Sequence, residues 1–161
     1  MKIRLLIASA LVAFAVAGCS QKEETVAPAV TAATSGPRTI EITASDAMKF
    51  NLNAIQLAVG EEVKIVLVNT GTMPKQAMGH NLCVLKAGSD VAAFATAAAV
   101  SATTEYIPAA LQSEIVAHTK LLGPKESDSI VLKFDAAGDY PFLCTFPAHF
   151  QVGMKGLITV K

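Results

Sequence analysis

The chain has 161 residues with 13 Lys plus Arg against 13 Asp plus Glu, so its formal charge is zero and only 16% of it is charged. That length fits one domain, and the lack of a basic surplus excludes an electrostatic nucleic-acid binder. The 52% apolar fraction owes part of its height to the leader and to alanine, and there is no tryptophan.

Met1-Lys-Ile-Arg4 followed by the apolar run Leu5 to Ala17 reads as the basic and hydrophobic regions of a secretory signal, too short for a membrane span. Its end, Val16-Ala-Gly-Cys19, resembles a bacterial lipobox, which implies residues 1–18 as a lipoprotein signal peptide and Cys19 as the acylated first residue of the mature chain. Ala15-Val-Ala17 offers an ordinary cleavage site as the rival reading. Removing Lys2 and Arg4 leaves 11 basic residues against 13 acidic ones. Acyl chains on Cys19 would anchor the protein to a bacterial membrane. Ser20, which is not acidic, favours the outer membrane where there is one. Residues 19–37, rich in Ala, Thr and Pro, carry no periodicity and read as a flexible tether.

From Thr39 the pattern becomes that of strands. Thr39-Ile-Glu-Ile-Thr43 and Ile55-Gln-Leu-Ala-Val59 alternate, and Val63, Ile65 and Leu67 fall on one face of Val63–Asn69. Asn69-Thr-Gly-Thr-Met-Pro74 is turn-rich, and His80 to Lys86 reads as the next strand. Ser89-Asp90 can cap a helix through the alanine-rich segment from Val91 to about Ala102. Ser129–Phe134, Asp139–Leu143 and Lys155–Val160 complete the strands, with a turn at Ala136–Gly138. The expected fold class is all-β: an antiparallel Greek-key β-sandwich of about seven to eight strands with one helical flap, over residues 38–161.

Between the last two strands lies Cys144-Thr-Phe-Pro-Ala-His149-Phe-Gln-Val-Gly-Met154, which places a thiolate, an imidazole and a thioether in one loop. Soft sulfur with imidazole suits copper, and a trigonal electron-transfer site needs two His and one Cys with a weak axial Met. His80, in Met78-Gly-His-Asn81, can supply the second imidazole from a neighbouring strand. Gly79 before it would let its backbone carbonyl approach the opposite axial position. Four rival readings are weaker. A Cys83–Cys144 disulfide is disfavoured because Cys83 lies three residues past His80 and so faces the other side of the strand; it reads as a small buried hydrophobe with a free thiol. Structural zinc would want a better fourth ligand than Met154. A cysteine hydrolase would want an orienting acid and an oxyanion loop, and neither is evident. A dinuclear copper centre would need a second cysteine in the loop.

Met78-Gly-His-Asn81, Ala117-His-Thr-Lys120 and Cys144-Thr-Phe-Pro-Ala-His149, with Met154 after them, resemble the azurin branch of the cupredoxins from about Thr39 to Lys161. Four residues separate His149 from Met154, where azurins have three; this is the spacing of auracyanin-type proteins. The resemblance implies a mononuclear blue-copper electron carrier, cycling between Cu(II) and Cu(I), that turns over no substrate. In it His80, Cys144 and His149 are the planar ligands, and Met154 with the Gly79 carbonyl lies on the axis. Asn81 ties the ligand loops, and Phe146 packs beside them. It further implies a docking rim of Met48, Met73, Met78, Phe146 and Phe150 around His149, the ligand nearest the surface. The partners would be c-type cytochromes or copper and haem enzymes, met by a monomer. His118 corresponds to a non-ligand histidine, and Asn69 stands where some azurins have a pH-responsive one. Azurin's disulfide positions, near Arg38 and Glu61, hold no cysteine. A copper-storage or copper-delivery lipoprotein would use the same ligands and is the alternative.

Overall fold

The computed structural model describes residues 36–161, so the signal peptide, Cys19 and the tether up to residue 35 lie outside the described residues. Nine strands form two sheets: β1 (Arg38–Ser45), β2 (Lys49–Phe50), β4 (Glu62–Asn69) and β7 (Ser127–Lys133) in the order β2-β1-β4-β7, and β3 (Ala54–Leu57), β9 (Lys155–Val160), β8 (Gly138–Leu143), β5 (Cys83–Leu85) and β6 (Ile115–His118) in the order β3-β9-β8-β5-β6. The alternation expected in β4 is realised, with Val63, Ile65, Leu67 and Asn69 buried and the residues between them facing outward. Ile42, Val63, Ile65, Leu67, Leu82, Val84, Phe142, Ile158 and Val160 fill the space between the sheets. Burying such side chains contributes on the order of 1.5–3 kcal/mol each.

Two features differ from the sequence expectation. The strand count exceeds eight because β2 and β6 are short pairings with no readable alternation. The sandwich is also not purely antiparallel, since β1 runs parallel to β4 and β3 parallel to β9. The cause is the path of the chain: β2 reverses it, β3 carries it into the second sheet, and the Ala58–Glu61 turn (Glu61 N–H to Ala58 O, 3.1 Å) reverses it again. β4 therefore returns alongside β1 in the same direction.

A short helix, α1 (Lys75–Met78), precedes the His80 segment. The flap helix α2 (Val91–Ala99) starts where expected, with the Asp90 carboxylate accepting from Ala92 and Ala93 N–H at 3.1 and 3.0 Å. It ends earlier than expected, and the chain continues through 3₁₀ turns at Ala102–Thr104 and Ala109–Glu114. Val100, Thr103 and Thr104 are β-branched and prolong a helix poorly. Phe94, Ala95 and Ala98 of α2 pack onto the outer face of the second sheet with Cys83, Leu85, Ile107 and Leu143. Cys83 thus lies in a different core from Cys144, and both are free thiols.

Arg38 and Glu61 form an ion pair, Nε to Oε1 at 2.7 Å, and Arg38 Nη2 also donates to the Gln56 carbonyl. It joins the start of β1 to the turn before β4. Being solvent-exposed and screened by water, it contributes little to stability.

Candidate metal centre

At the end of the sandwich where β1 and β4 finish, His80, Cys144 and His149 are all buried, and one donor atom from each lies within 4.8 Å of the others. Cys144 Sγ and His149 Nδ1 are 3.4 Å apart, and the two imidazole centroids are 4.9 Å apart. Neither ring nitrogen of His80 has a hydrogen-bond partner although both are buried. Buried polar atoms are rarely left so. One nitrogen of a bare imidazole beside a thiol and a second imidazole suits a soft, late transition metal, and copper fits the set. Met154 is fully buried in the same core cluster, with its N–H on the His149 carbonyl (2.9 Å) and its carbonyl accepting from Cys144 N–H (3.0 Å).

Backbone pairings fix each donor. His80 exchanges hydrogen bonds with Leu122 at 3.1 and 2.7 Å, an isolated bridge beyond the end of β5, so the strand expected from His80 begins only at Cys83. Gly79 is required by close packing: a Cβ there would lie 2.7 Å from the Lys75 carbonyl and 3.0 Å from Leu121 Cδ2. Asn81 joins the His80 and Cys144 segments, its Oδ1 accepting from Thr145 N–H at 2.9 Å and its Nδ2 donating to Thr145 Oγ1 at 2.7 Å. Thr119 adds a second tie, its hydroxyl accepting from Leu82 N–H at 3.0 Å. Buried Asn69 braces the next loop, accepting from Gly71 N–H at 2.8 Å. Sequence reasoning missed Thr119 and Thr145, which carry no pattern of their own.

Burial dominates the electrostatics. It lowers the His149 pKa to about 4, with repulsion from His80 adding to the effect. It also lowers that of His80, against the opposing pull of the Asp46 carboxylate and the Ser45 carbonyl. The Cys144 thiol is pushed up to about 11, offset in part by backbone N–H groups of Asn81 and Phe146 directed at the sulfur. Cys83 is pushed up to about 12 by burial, then by Cys144.

Of the expected rim, Met73 is 41% exposed, and Met48 and Met78 are half-buried on the β1–β2 turn and α1. Phe146 is buried between His149 (centroids 4.8 Å) and Tyr106 (5.0 Å, edge-on). Phe150 packs instead toward the α2 core, beneath the Lys155 ammonium at 4.4 Å. Val152, which the sequence did not single out, is 43% exposed on the ligand loop. His118 is exposed, its Nδ1 3.0 Å from the Thr119 carbonyl.

The family model described as copper binding proteins of the plastocyanin/azurin family matches residues 38–161. Azurin of Alcaligenes faecalis is 35% identical over 123 residues, 74% of this chain and 94% of that protein. Outer membrane protein H.8 of Neisseria gonorrhoeae is 39% identical over 122 residues, but the match spans only 65% of its length. The crystal structure of dithionite-reduced auracyanin from Roseiflexus castenholzii superposes with a TM-score of 0.67 at 36% identity, covering 78% of this chain and 99% of that one. A buried thiol beside two buried imidazoles, at one end of a sandwich shared with auracyanin and matched by the family model over residues 38–161, places the chain in the plastocyanin/azurin family of copper-binding proteins.

Proposed function

We propose that the protein is a blue-copper carrier of single electrons, whose metal would be held by His80, Cys144, His149 and Met154, with the Gly79 carbonyl beside them. The observation that carries this is the convergence of three buried donors with both His80 nitrogens unpartnered. Copper held there supplies a one-electron couple. The chain's part is to present neutral imidazoles and a water-excluded thiol in a frame that moves little. Asn81, Thr145 and the reciprocal bonds of His80 with Leu122 and of Cys144 with Met154 provide that frame, which lowers the cost of a change in charge.

His149, 2% exposed, is the only one of the four side-chain donors that reaches the surface at all. Met73, Met48, Met78 and Val152 around this end form an apolar face suited to small, transient encounters with c-type cytochromes or copper and haem enzymes. The lipobox-like Cys19 and the likeness to an outer membrane protein support export and lipid anchoring at a bacterial membrane.

The test is optical and paramagnetic-resonance spectroscopy of copper-loaded protein. A copper–thiolate bond gives an intense visible band that reductant bleaches, and Cys144→Ser abolishes it. Retention of the colour in that variant sinks the assignment, whereas copper that exchanges readily while electrons transfer slowly would mark a delivery protein.

A further inference from the structure

The turn that joins β1 to β2 and the first residue of β2 carry none of the proposed ligands, yet both ligand-bearing segments are fastened to them. On one side the Asp46 carboxylate accepts from Thr72 N–H at 2.9 and 3.2 Å, from the Thr72 hydroxyl at 3.0 Å and from Met73 N–H at 3.4 Å, gripping the segment that leads to His80. On the other, Lys49 Nζ donates to the carbonyl of Val152, a residue 103 positions away. Val152 belongs to the four-residue stretch between His149 and Met154, one residue longer than the azurin pattern. That stretch is wound by bonds from Val152 N–H to Ala148 O (3.2 Å), Gly153 N–H to Phe150 O (3.0 Å) and Met154 N–H to His149 O (2.9 Å). Gly153 lies directly beside the ammonium, 2.9 Å from Nζ to where a Cβ would stand, and its φ of +93° is in the left-handed range that favours glycine. Met48, at φ 54° a strained conformation for methionine, closes the turn directly before Lys49. Neither ion pair among the described residues involves Lys49, so no carboxylate neutralises its charge by direct contact.

We propose that Lys49 is a positioning residue for the metal centre: its ammonium braces the lengthened ligand loop through the Val152 carbonyl, setting the seat of Met154, and its charge favours the reduced state. The proposal rests on the ligand reading above for its electronic part and on the bond itself for its mechanical part. Copper in the reduced state carries one positive charge fewer, so a cation held beside the loop penalises it less.

The full-length protein tests both parts. Lys49→Met keeps the apolar stem but removes donor and charge, while Lys49→Arg keeps both. In metal-free protein, Lys49→Met is expected to speed amide hydrogen exchange at Gly153 and Met154 by about three- to tenfold, as for loss of a charged but solvent-exposed hydrogen bond. In copper-loaded protein it is expected to lower the reduction potential and alter the visible spectrum, and Lys49→Arg restores both. Unchanged exchange overturns the brace whatever metal is bound. Faster exchange with an unmoved potential and spectrum overturns the positioning role, leaving only a local structural bond. Because exchange is read without metal, failure of the copper assignment would show separately as a missing charge-transfer band in the wild type.

Discussion

His80 and His149 enter their pocket as neutral bases, and this sets how the metal-free protein responds to acid. Burial holds His149 near pKa 4, against 6.5 for an ordinary imidazole, and shifts His80 in the same direction. The unfolded chain therefore takes up protons at a higher pH than the folded one does. The stability that these residues confer is complete above about pH 6.5 and is lost as pH falls toward about 4. The thermal midpoint of metal-free protein should drop across that window, and His149→Gln should flatten the drop; a level midpoint in the wild type would contradict the reading. The donors were legible in the sequence because thiol, imidazole and thioether share one short loop. Ser45, Asp46, Lys49 and Thr119 were not, because what they do depends on partners tens of residues away.

Element by element, β9 lies tightly against the core where it pairs with β8. Gly156 pairs with Phe142, and a Cβ there would run into the Phe142 ring and lie 2.6 Å from the Asn53 carbonyl. Gly156→Ala should destabilise the domain by about 1–3 kcal/mol or somewhat more, read as a lower denaturant midpoint at an unchanged slope. Loss of the visible band without loss of stability would instead mean that the strain is absorbed by the ligand loop. Period-two alternation located β1, β3 and β4, since it records which face is buried; apolar runs and turn residues located β5, β7, β8 and β9, and the Ser89-Asp90 cap located the start of α2. Alternation does not record which strand lies alongside, so the two parallel pairings and the two-residue β2 were invisible. For β6, Ile115–His118, half-buried residues alternating with exposed ones left too faint a pattern to read.

At the scale of the whole molecule, the candidate metal centre and the apolar face share one end of the sandwich, and Asp135, just past β7, lies at the other, where Gly60 N–H meets the Phe134 carbonyl. Met78→Lys should slow self-exchange and transfer to a c-type cytochrome with little change in spectrum or potential, while Asp135→Lys should leave the rates near wild type. Equal rates in all three proteins, by stopped-flow, would remove this end as the docking face. The anchoring proposal has its own measurement. Full-length protein should fractionate with membranes, and Cys19→Ala should leave unprocessed precursor or soluble exported protein; an unchanged acylated mass would refute lipidation. Finally, the exposed Arg38–Glu61 pair stands near the positions that hold a disulfide in azurins, while Cys83 and Cys144 sit in separate cores on opposite faces of one sheet. Maturation of residues 36–161 is thus uncoupled from thiol-oxidising enzymes: there is no cross-link among them for such enzymes to make or for a reductant to cut, and the Cys144 sulfur stays available for the metal.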